Sequence, residues 1–561
     1  MSIYPQLRAV WAELTAPGAP FEIAEFDIRG IRLKGYAAAP NSLRDVWLTS
    51  TQFAERDYLV YEDERLTYAQ AHARVASIAN WLIEHNVQPG DVVAIAMRNY
   101  PEWLQAYWAA ISIGATVSGM NAWWVGPEMV HGINEAAPKI LICDEQRLQR
   151  LTPHRQELAC NPTLVGVRLE SPHSDVVGWS ELLTRDESLP NVSIDTDSVA
   201  CIFYTSGTTG FPKGAQLTHR GCLNNIMNLS FWGTCLTTIA EQNGSAATPP
   251  AQLASLITTP LFHVTANNCV NHPLTLQGGK LVHMYKWDAG EALKLIEAEC
   301  ITSVTGVPVM ARELLAHPDF DRYDTSSVAG LGGGGAQLPP DLVGKIAQKA
   351  SPGTGYGMTE TCGVITSIGG NFFLDKPTSA GPVLPNYDAM LVDEEGLEVP
   401  VGSPGELWVK GAPVIRGYLN RPEATAETIT DGWLHTGDIA RMDEDGFLYI
   451  VDRAKDMVLR GGENVYCAEV EAALYDHDAV AECSVFSVPD DRLGEEVGAA
   501  IFCKQGKSVD ANGLREHCAM RIAKHKIPRY IWVLDEPLPR NANGKFLKRE
   551  LREQLEVAAA H

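Results

Sequence analysis

The sequence predicts an α/β protein with a large N-terminal domain of helix-covered, mainly parallel sheets and a small α+β C-terminal domain. From Tyr58 onward, apolar runs of strand length alternate with amphipathic helical stretches, and short loops join them. Such alternation favours parallel strands covered by helices on both faces. At 561 residues with 45% apolar residues, the chain can bury a large core, and its length favours more than one domain.

The elements of the first half follow this alternation. An alternation of apolar and polar residues over 21–33 indicates an edge hairpin. The pattern then predicts strands over 58–61, 92–97, 115–117, 140–142 and 199–203, and helices over 68–85, from Pro101, from Pro127 and over 218–229. The uncharged stretch 104–127 is interrupted by Gly114 and Asn121, which favours a buried helix followed by a buried strand over a membrane span.

The second half begins with a polar, Ala/Pro-rich segment, 238–253, that predicts a surface loop. One apolar strand is predicted to end in the segment 258–263. Further strands are predicted over 328–330, 405–411 and 448–451, followed by helix 468–475, strands 483–488 and 498–503, helix 511–524, strand 530–533 and a terminal basic helix. Charged residues and paired glycines replace the buried pattern over 452–464, as in a hinge between domains. The predicted domains are therefore 1–452 and 453–561.

Composition excludes several classes of partner. The chain has 45 basic and 69 acidic residues, a net charge of −24, which argues against nucleic acid or an anionic membrane as the main partner. Its 12 cysteines are scattered without a Cys-x-x-Cys pair, a pattern typical of reduced thiols rather than of a zinc site or a disulfide framework. The start lacks a secretion signal, so we expect a cytoplasmic protein.

A loop of small and hydroxylated residues lies between Tyr204 and Gly214, directly after the predicted strand 199–203. Backbone N–H groups at its glycines, several hydroxyls and one Lys ammonium suit a polyphosphate. The candidate ligands are Thr205, Ser206, Gly207, Thr208, Thr209, Gly210 and Lys213. Pro212 and the missing Gly-Lys-Ser/Thr ending exclude a Walker loop, and a flexible turn is the alternative.

Two later segments carry side chains suited to a nucleotide. Tyr356 can stack on a purine, Thr359 can donate to a phosphate, and Glu360 can hold a magnesium ion, although the same string is also a plausible helix start. Asp438 follows a glycine and can accept from two ribose hydroxyls, whereas an Asp after Gly is ordinarily a turn residue.

Two further segments are ambiguous from the residues alone. The stretch 331–336 is almost all glycine after a strand, which indicates either a floppy loop or a close approach of a ligand or another backbone. His263 ends an apolar segment, where a lone His is more often structural than catalytic.

Four strings in order and spacing resemble the adenylate-forming family, which comprises acyl- and aryl-coenzyme A synthetases, firefly luciferase and nonribosomal peptide adenylation domains. The strings are Ser206-Gly-Thr-Thr-Gly-Phe-Pro-Lys-Gly214, Tyr356-Gly-Met-Thr-Glu360, Trp433-Leu-His-Thr-Gly-Asp438 and Asn543-Gly-Lys545. The resemblance covers the chain from about Asp57 and is strongest to bacterial fatty-acid or related carboxylic-acid ligases. One departure is Cys467, where the family usually has Pro before a helix.

The resemblance implies an ATP-dependent acyl-coenzyme A synthetase that forms acyl-AMP, releases pyrophosphate and then transfers the acyl group to coenzyme A. It implies ATP, Mg²⁺ and coenzyme A as cofactors, a β-barrel-like part of the N-terminal domain, and a mobile C-terminal domain with its hinge near Lys455. The acid is expected to be a medium- or long-chain one of fatty acid metabolism, or a bulky aromatic or alicyclic one, and a homodimer is left open.

The same resemblance assigns residues by position. Catalytic roles fall on Lys213, His263, Thr359, Glu360 and Lys545; cofactor contacts fall on Thr205, Ser206, Gly207, Thr208, Thr209, Gly210, Gly334, Gly335, Ala336, Tyr356, Gly357, Asp438, Arg453, Lys455, Gly461 and Gly462; metal contacts fall on Glu360 and Thr205. Three alternatives stay open: an adenylation enzyme that loads a carrier protein, a luciferase-like oxidation of the adenylate, and a nucleotide-binding relative without activity. No carrier domain follows in the chain, which disfavours the first.

Overall fold

The structure, a computed structural model, describes residues 4–205, 212–453, 456–460, 463–490, 492–541, 544–555, 557 and 560. Its helices are α1 (Tyr4–Thr15), α2 (Leu43–Thr49), α3 (Tyr68–Glu84), α4 (Pro101–Ser112), α5 (Gly126–Ala136), α6 (Glu145–Leu151), α7 (His219–Gln242), α8 (Val264–Ala266), α9 (His272–Leu276), α10 (Ala289–Glu299), α11 (Pro308–Ala316), α12 (Pro340–Ala347), α13 (Gly370–Asp375), α14 (Pro422–Thr428), α15 (Cys467–Tyr475), α16 (Ala511–Ala519) and α17 (Lys548–Gln554).

Its strands are β1 (Ile23–Ile28), β2 (Ile31–Tyr36), β3 (Asp57–Tyr61), β4 (Glu64–Thr67), β5 (Val92–Ala96), β6 (Thr116–Gly119), β7 (Ile140–Asp144), β8 (Thr163–Val167), β9 (Val177–Gly178), β10 (Val199–Thr205), β11 (Lys213–Thr218), β12 (Ala254–Ile257), β13 (Lys280–His283), β14 (Ser303–Gly306), β15 (Gly330–Gly333), β16 (Ser351–Met358), β17 (Gly363–Gly369), β18 (Gly381–Pro382), β19 (Tyr387–Val392), β20 (Gly405–Gly411), β21 (Ile429–Thr430), β22 (Trp433–Met442), β23 (Phe447–Arg453), β24 (Val458–Arg460), β25 (Glu463–Val465), β26 (Val480–Asp490), β27 (Gly494–Cys503) and β28 (Tyr530–Leu534).

The chain forms two compact units. Unit 1 contains the described residues of Met1–Asp388 and Val409–Leu434, and unit 2 those of Ala389–Trp408 and His435–His561. The predicted domain boundary between residues 452 and 453 does not coincide with this division and stays a prediction. Lys455, the predicted hinge, lies outside the described residues.

Unit 1 is built on two large sheets. The first has the strand order β11-β10-β6-β5-β7-β8-β9 and is parallel apart from the antiparallel pair β10 and β11. The second has the order β17-β16-β15-β14-β12-β13-β3-β4 and is parallel apart from its two outermost pairs. Parallel strands need crossover connections, which the intervening helices supply. The predicted α/β class with mainly parallel sheets is confirmed.

The uncharged stretch after Pro101 is a buried helix followed by a buried strand. All 12 residues of α4 are buried, and so is every residue of β6. The aromatic side chains of Trp103, Tyr107 and Trp108 lie fully inside the main core of unit 1. No described helix has the length and apolar character needed to cross a membrane.

Unit 2 contains an α+β part in its C-terminal region. Strands β26 and β27 pair antiparallel, β28 adds parallel to β27, and β24 and β25 complete a five-stranded sheet. Helices α15 and α16 contribute Val470, Leu474 and Leu514 to a core shared with Val485 and Ile501 of the sheet. This confirms the smaller C-terminal α+β domain, whereas its mobility and the β-barrel-like part of the N-terminal domain stay predictions.

Several predicted boundaries were wrong. Helix α7 continues to Gln242, past the predicted end at residue 229 and into the predicted loop 238–253. Buried residues recur along one side of the helix as far as Ile239, so packing against the core continues beyond the predicted end. The apolar strand predicted to end at His263 is shorter: β12 ends at Ile257, and His263 is the N-cap of the short helix α8. Helix α16 ends at Ala519 rather than at 524. Strand β11 was not predicted, since Lys213 and Gly214 interrupt its apolar pattern.

Candidate active site

Strand β10 leads directly to the loop predicted to bind phosphate. β10 is buried along most of its length and ends at Thr205, which lies opposite Lys213, the first residue of β11. The Thr205 hydroxyl donates to the Lys213 carbonyl oxygen at 3.5 Å. β11 is the edge strand of its sheet, so Thr205 and Lys213, the two residues that flank the predicted loop, lie beside a sheet edge. The predicted ligands Ser206, Gly207, Thr208, Thr209 and Gly210 lie outside the described residues.

Glu360 lies in a single 3₁₀ turn, Thr359–Thr361, that follows β16. Its side chain is buried, with 6% of the residue exposed. The hydroxyl of Tyr418 donates to Oε1 of Glu360 at 2.8 Å. The N–H group of Ile415 donates to the Glu360 carbonyl oxygen at 3.0 Å, which fixes the backbone of the turn. Glu360 is therefore a buried carboxylate held by a neutral donor.

Tyr418 joins Glu360 to Lys213. The Nζ atom of Lys213 lies 5.2 Å from the centroid of the Tyr418 ring, within the range of a cation–π contact. Burial, and next the charge of Glu360, raise the pKa of the Tyr418 hydroxyl far above its usual range, so this group remains a proton donor. No sequence pattern assigned a role to Tyr418.

The glycine-rich stretch begins in strand β15, and the neighbouring strands lie too close to Gly332 and Gly333 for a side chain to fit there. A Cβ atom on Gly332 would lie 1.8 Å from the carbonyl oxygen of Gly353, and one on Gly333, whose φ is +153°, would lie 1.8 Å from that of Gly306. The sequence allowed a floppy loop, a ligand or another backbone as the reason for these glycines, and at these two positions it is another backbone. Contact of Gly334, Gly335 and Ala336 with a nucleotide stays a prediction.

Tyr356 and Gly357 lie on β16 beside Glu360. Tyr356 pairs with Thr366 of β17, and the register shifts by a bulge between Tyr356 and Gly357. A Cβ atom on Gly357 would lie 1.9 Å from the carbonyl oxygen of Gly363, so the bulge itself requires glycine. Stacking of a purine on the half-buried Tyr356 ring stays a prediction.

His263 lies at the start of a helix with an irregular turn. It precedes α8, which continues through a π-turn over Asn267–Asn271 into α9. Its ring centroid lies 4.6 Å from that of Phe262, and the Phe262 ring in turn packs edge-on against Trp123 at 5.5 Å. π-turns occur often at functional sites. The catalytic role of His263 stays a prediction.

In unit 2, two residues predicted to contact the cofactor, Asp438 and Arg453, lie together. Asp438 of β22 is paired across the sheet with Arg453 of β23. The Nε atom of Arg453 lies 3.1 Å from Oδ1 of Asp438, and the exposed fractions of the two side chains are 44% and 6%. Gly437, with a φ of +69°, precedes Asp438, and its N–H group donates to Glu406. The carboxylate of Asp438 is thus buried beside a cation.

Lys545 occupies a tight turn, as the sequence predicts. Its N–H group donates to the Asn541 side chain at 3.0 Å, and its carbonyl oxygen accepts from the N–H group of Asn541 at 2.8 Å. Gly544, with a φ of +74°, makes the turn, and the neighbouring bridge between Arg540 and Phe546 closes it. The Lys545 side chain is exposed on this turn, and its catalytic role stays a prediction.

Cys467, at the position where Pro is usual, takes part in the bonding of a buried acid. Its N–H group, the first of α15, donates to Oδ2 of Asp452, and its thiol donates to the Asp456 carbonyl oxygen at 2.9 Å. Burial raises the pKa of Asp452 to about 6, against the opposing charge of Lys548. A proline at this position would lack the N–H donor. The neighbouring predicted residues Gly461 and Gly462 lie outside the described residues.

Comparison with known proteins gives the same family over both parts of the chain. The family model for AMP-binding enzymes matches residues 47–419, and that for the C-terminal domain of AMP-binding enzymes matches residues 469–545. The first of these matches covers more than half of the chain.

Individual relatives extend over almost the full length. The chain is 36% identical to a feruloyl-CoA synthase from Amycolatopsis over 493 residues, which covers 87% of this chain and 94% of that protein. Among solved structures, the o-succinylbenzoate CoA synthetase of Bacillus subtilis in complex with its acyl-adenylate matches with a TM-score of 0.75 and 29% identity, covering 91% of this chain and 98% of the other. An anthranilate CoA ligase with anthranoyl-AMP matches with a TM-score of 0.83, covering 93% of this chain and 98% of the other, and at 23% identity it supports the fold alone.

Proposed function

The chain belongs to the family of AMP-binding enzymes, and from that premise we propose that it is an acid–thiol ligase that joins a carboxylic acid to coenzyme A through an acyl-AMP intermediate. The observation that carries the proposal is the cluster of Lys213, Tyr418 and Glu360, in which Lys213 is the first residue of β11. This cluster combines a cation for phosphate with a buried carboxylate. The relatives named above as CoA synthases and ligases support the coenzyme A step.

The first half-reaction is adenylation of the acid. A carboxylate oxygen attacks the α-phosphorus of ATP in line, the bond from the α-phosphorus to the bridging oxygen breaks, and pyrophosphate leaves with the electron pair. Lys213 and the hydroxyl loop bind the leaving phosphates, and Lys545 contacts the attacking side. Positioning and charge stabilisation supply most of the catalysis in such phosphoryl and nucleotidyl transfers.

The Glu360 carboxylate fits a magnesium ion that is also bound by the phosphates of the nucleotide. Mg²⁺ is usually held by one or two carboxylates together with phosphates and water, not by a cage made entirely of protein. Over the described residues, no group of three or more His, Cys, Asp or Glu side chains could hold a metal by itself. Glu360 is a single buried carboxylate whose Oε1 accepts from Tyr418, and Thr205 at the end of β10 is the second predicted metal contact. The ion would neutralise phosphate charge as pyrophosphate departs.

The second half-reaction is thioester formation. The sulfur of coenzyme A attacks the acyl carbon of acyl-AMP, and AMP leaves as its phosphate takes the electron pair of the broken acyl–oxygen bond, while the thiol proton passes to solvent. Asp438 accepts hydrogen bonds from the ribose of the adenylate in both half-reactions, and Arg453 lies close to the ribose, where it balances the charge of Asp438. His263 borders the reacting carboxyl group, and Tyr356 stacks on the adenine.

We propose an aromatic or other bulky acid as the substrate. The names of two relatives refer to feruloyl and o-succinylbenzoyl groups, and both of these acyl groups contain an aromatic ring. The structure adds an aromatic region next to His263, in which Phe262 packs against the partly exposed ring of Trp123. Aromatic side chains of this kind suit the stacked or edge-on contacts that an aromatic acid prefers.

A screen for pyrophosphate release over a panel of acids tests the function. The panel contains ferulic, o-succinylbenzoic and anthranilic acids, an alicyclic propanoate and medium- and long-chain fatty acids, each with and without coenzyme A. We expect acid-dependent pyrophosphate, and a thioester plus AMP by mass spectrometry only when coenzyme A is present. Formation of ADP and phosphate, or of an adenylate that passes to a carrier protein but never to coenzyme A, would contradict the proposal. Strongest turnover with a fatty acid would contradict the aromatic substrate alone.

A further inference from the structure

We propose that Tyr418 is a positioning residue for adenylation, which sets the Glu360 carboxylate and the Lys213 ammonium group relative to each other. Its hydroxyl donates to Glu360 at 2.8 Å, and its ring lies 5.2 Å from the Lys213 nitrogen. One side chain thus contacts an acid and a base that come from segments almost 150 residues apart in the sequence. The inference rests on the proposed function, in which these two groups bind phosphate and its counterion.

The backbone of Tyr418 is fixed to the strand that carries Lys213. Tyr418 forms an antiparallel bridge with Ala215 of β11, and the N–H group of Leu419 donates to the Gly214 carbonyl oxygen at 2.7 Å. The N–H group of Tyr418 donates to the hydroxyl of Thr425 at 2.9 Å. Only 9% of Tyr418 is exposed. The ring therefore has a defined position with respect to the start of β11.

The chemistry of a tyrosine hydroxyl suits this place. A donor on Oε1 restricts rotation of the Glu360 carboxylate and leaves Oε2 available to a ligand. Because the donor is neutral, the carboxylate keeps its full charge for a cation, which a Lys or Arg partner would partly cancel. The ring face meanwhile attracts the Lys213 ammonium group, whose long side chain otherwise has many rotamers.

Two substitutions at Tyr418 separate these effects. Tyr418→Phe removes the hydroxyl and keeps the ring, whereas Tyr418→Leu removes both. We expect Tyr418→Phe to weaken binding of Mn²⁺ in the presence of a non-hydrolysable ATP analogue by about 10- to 100-fold, the usual effect of one hydrogen bond to a charged group. Binding of the same analogue without metal is expected to be unchanged in Tyr418→Phe and weaker in Tyr418→Leu.

The measurements are electron paramagnetic resonance titration of Mn²⁺ and calorimetric titration of the metal-free analogue, together with the Mg²⁺ dependence of pyrophosphate release. Tyr68→Phe is the matched control, because the buried Tyr68 hydroxyl donates at 2.8 Å to the Gly279 carbonyl oxygen outside the site. It removes one buried tyrosine hydrogen bond and is expected to leave Mn²⁺ binding unchanged. Glu360→Gln supplies the second arm of a double-mutant cycle.

The outcomes distinguish this inference from the proposed function. Loss of the Tyr418→Phe effect in the Glu360→Gln background supports positioning through Glu360. An equal effect in both backgrounds, or unchanged Mn²⁺ binding in Tyr418→Phe, would overturn it. If the unsubstituted protein released no pyrophosphate with any acid, the proposed function would fail, while the Mn²⁺ and nucleotide titrations would still decide the role of Tyr418. If Tyr418→Leu does not fold, Mn²⁺ binding by Tyr418→Phe alone decides whether Tyr418 is a positioning residue.

Discussion

Glu360 and Asp438 are both buried carboxylates, and each ends one of the four strings that resemble the family, but their hydrogen-bonding and ionic partners differ. Glu360, in unit 1, is 6% exposed and is held by the hydroxyl of Tyr418. Asp438, in unit 2, is 4% exposed and lies 3.1 Å from the guanidinium group of Arg453. One carboxylate therefore has a neutral donor and the other has a cation.

This difference indicates what each carboxylate can bind. A carboxylate whose charge is already balanced by a guanidinium group is suited to accept hydrogen bonds from neutral hydroxyls, such as those of a ribose. A carboxylate held by a neutral hydroxyl keeps its charge for an incoming cation. The comparison therefore favours a metal at Glu360 and a sugar at Asp438, on physical grounds that are independent of the family strings, and both roles stay predictions.

The strongest test of the comparison is Glu360→Gln. This substitution keeps the shape and an acceptor for Tyr418 but removes the charge, so we expect adenylation to slow by about 10²–10³-fold, the effect typical of one preorganised charge partner. Affinity for metal-free AMP is expected to stay unchanged. Single-turnover pyrophosphate release and calorimetry measure the two quantities. Glu102→Gln is the control, because Glu102 is a buried carboxylate paired with Arg168 at 3.1 Å in another part of unit 1.

The next test is Asp438→Asn. Loss of a charged acceptor is expected to weaken AMP binding by roughly 10- to 100-fold, because hydrogen bonds to charged groups contribute about 1.5–3 kcal/mol. The effect should depend on the sugar: the unsubstituted protein should prefer AMP to its 2′-deoxy form, and Asp438→Asn should lose that preference. Calorimetric titration with both nucleotides measures this. If Asp438→Asn still preferred AMP to its 2′-deoxy form, Asp438 would not be the residue that binds the ribose hydroxyls.

Asp452 sharpens the comparison as a third buried carboxylate, bonded by two backbone N–H groups. Its pKa is raised to about 6 by burial, so between about pH 4 and 6 the folded chain holds a proton that the unfolded chain has released. Stability is therefore lost as the pH rises through this window. We expect Asp452→Asn to reduce the fall in unfolding free energy between pH 5 and 7 by about 1 kcal/mol.

Urea unfolding at each pH, followed by hydrogen exchange in peptides from β26 and β27, measures this contribution in unit 2. Asp478→Asn, at an exposed position of the same unit, is the control. A pH dependence that is identical in Asp452→Asn and the unsubstituted protein would show that Asp452 does not hold the additional proton.

Arg453→Gln is expected to have the smallest effect. The guanidinium side chain is 44% exposed, and ion pairs with an exposed partner contribute less than about 1 kcal/mol. AMP affinity should fall by less than about fivefold, and the fall should diminish at high salt because the interaction is screened. A loss as large as that for Asp438→Asn would mean that Arg453 contacts the nucleotide directly rather than only balancing the Asp438 charge.

Prediction from sequence succeeded where local patterns decide the structure. The buried runs 92–97, 140–142 and 199–203 became parallel strands, and Gly544 placed Lys545 on a tight turn. Asp438 and Arg453, both predicted to contact the cofactor, lie opposite each other in one sheet, while the contact itself stays a prediction. The strands and the turn are decided by residues that are close together in the sequence.

Contacts between distant segments could not be predicted in this way. Tyr418 meets Glu360 and Lys213 only because its segment pairs with β11, a strand whose apolar pattern is interrupted at Gly214. The reason for Gly332 and Gly333 likewise lies in backbone atoms of other strands. The long extension of α7 depended on burial by tertiary packing, which outweighs local propensity.

The glycines of β15 also limit how this protein can be engineered. Replacing glycine with alanine is a common route to a more heat-resistant protein, because it reduces the conformational freedom of the unfolded chain. Helical positions such as Gly233 and Gly344, where a Cβ atom meets nothing within 4 Å, are open to that strategy and are expected to gain about 0.5–1 kcal/mol each. At Gly332 and Gly333 the added methyl group would push two strands apart, so a stabilised variant must retain both glycines whatever the rest of its surface becomes.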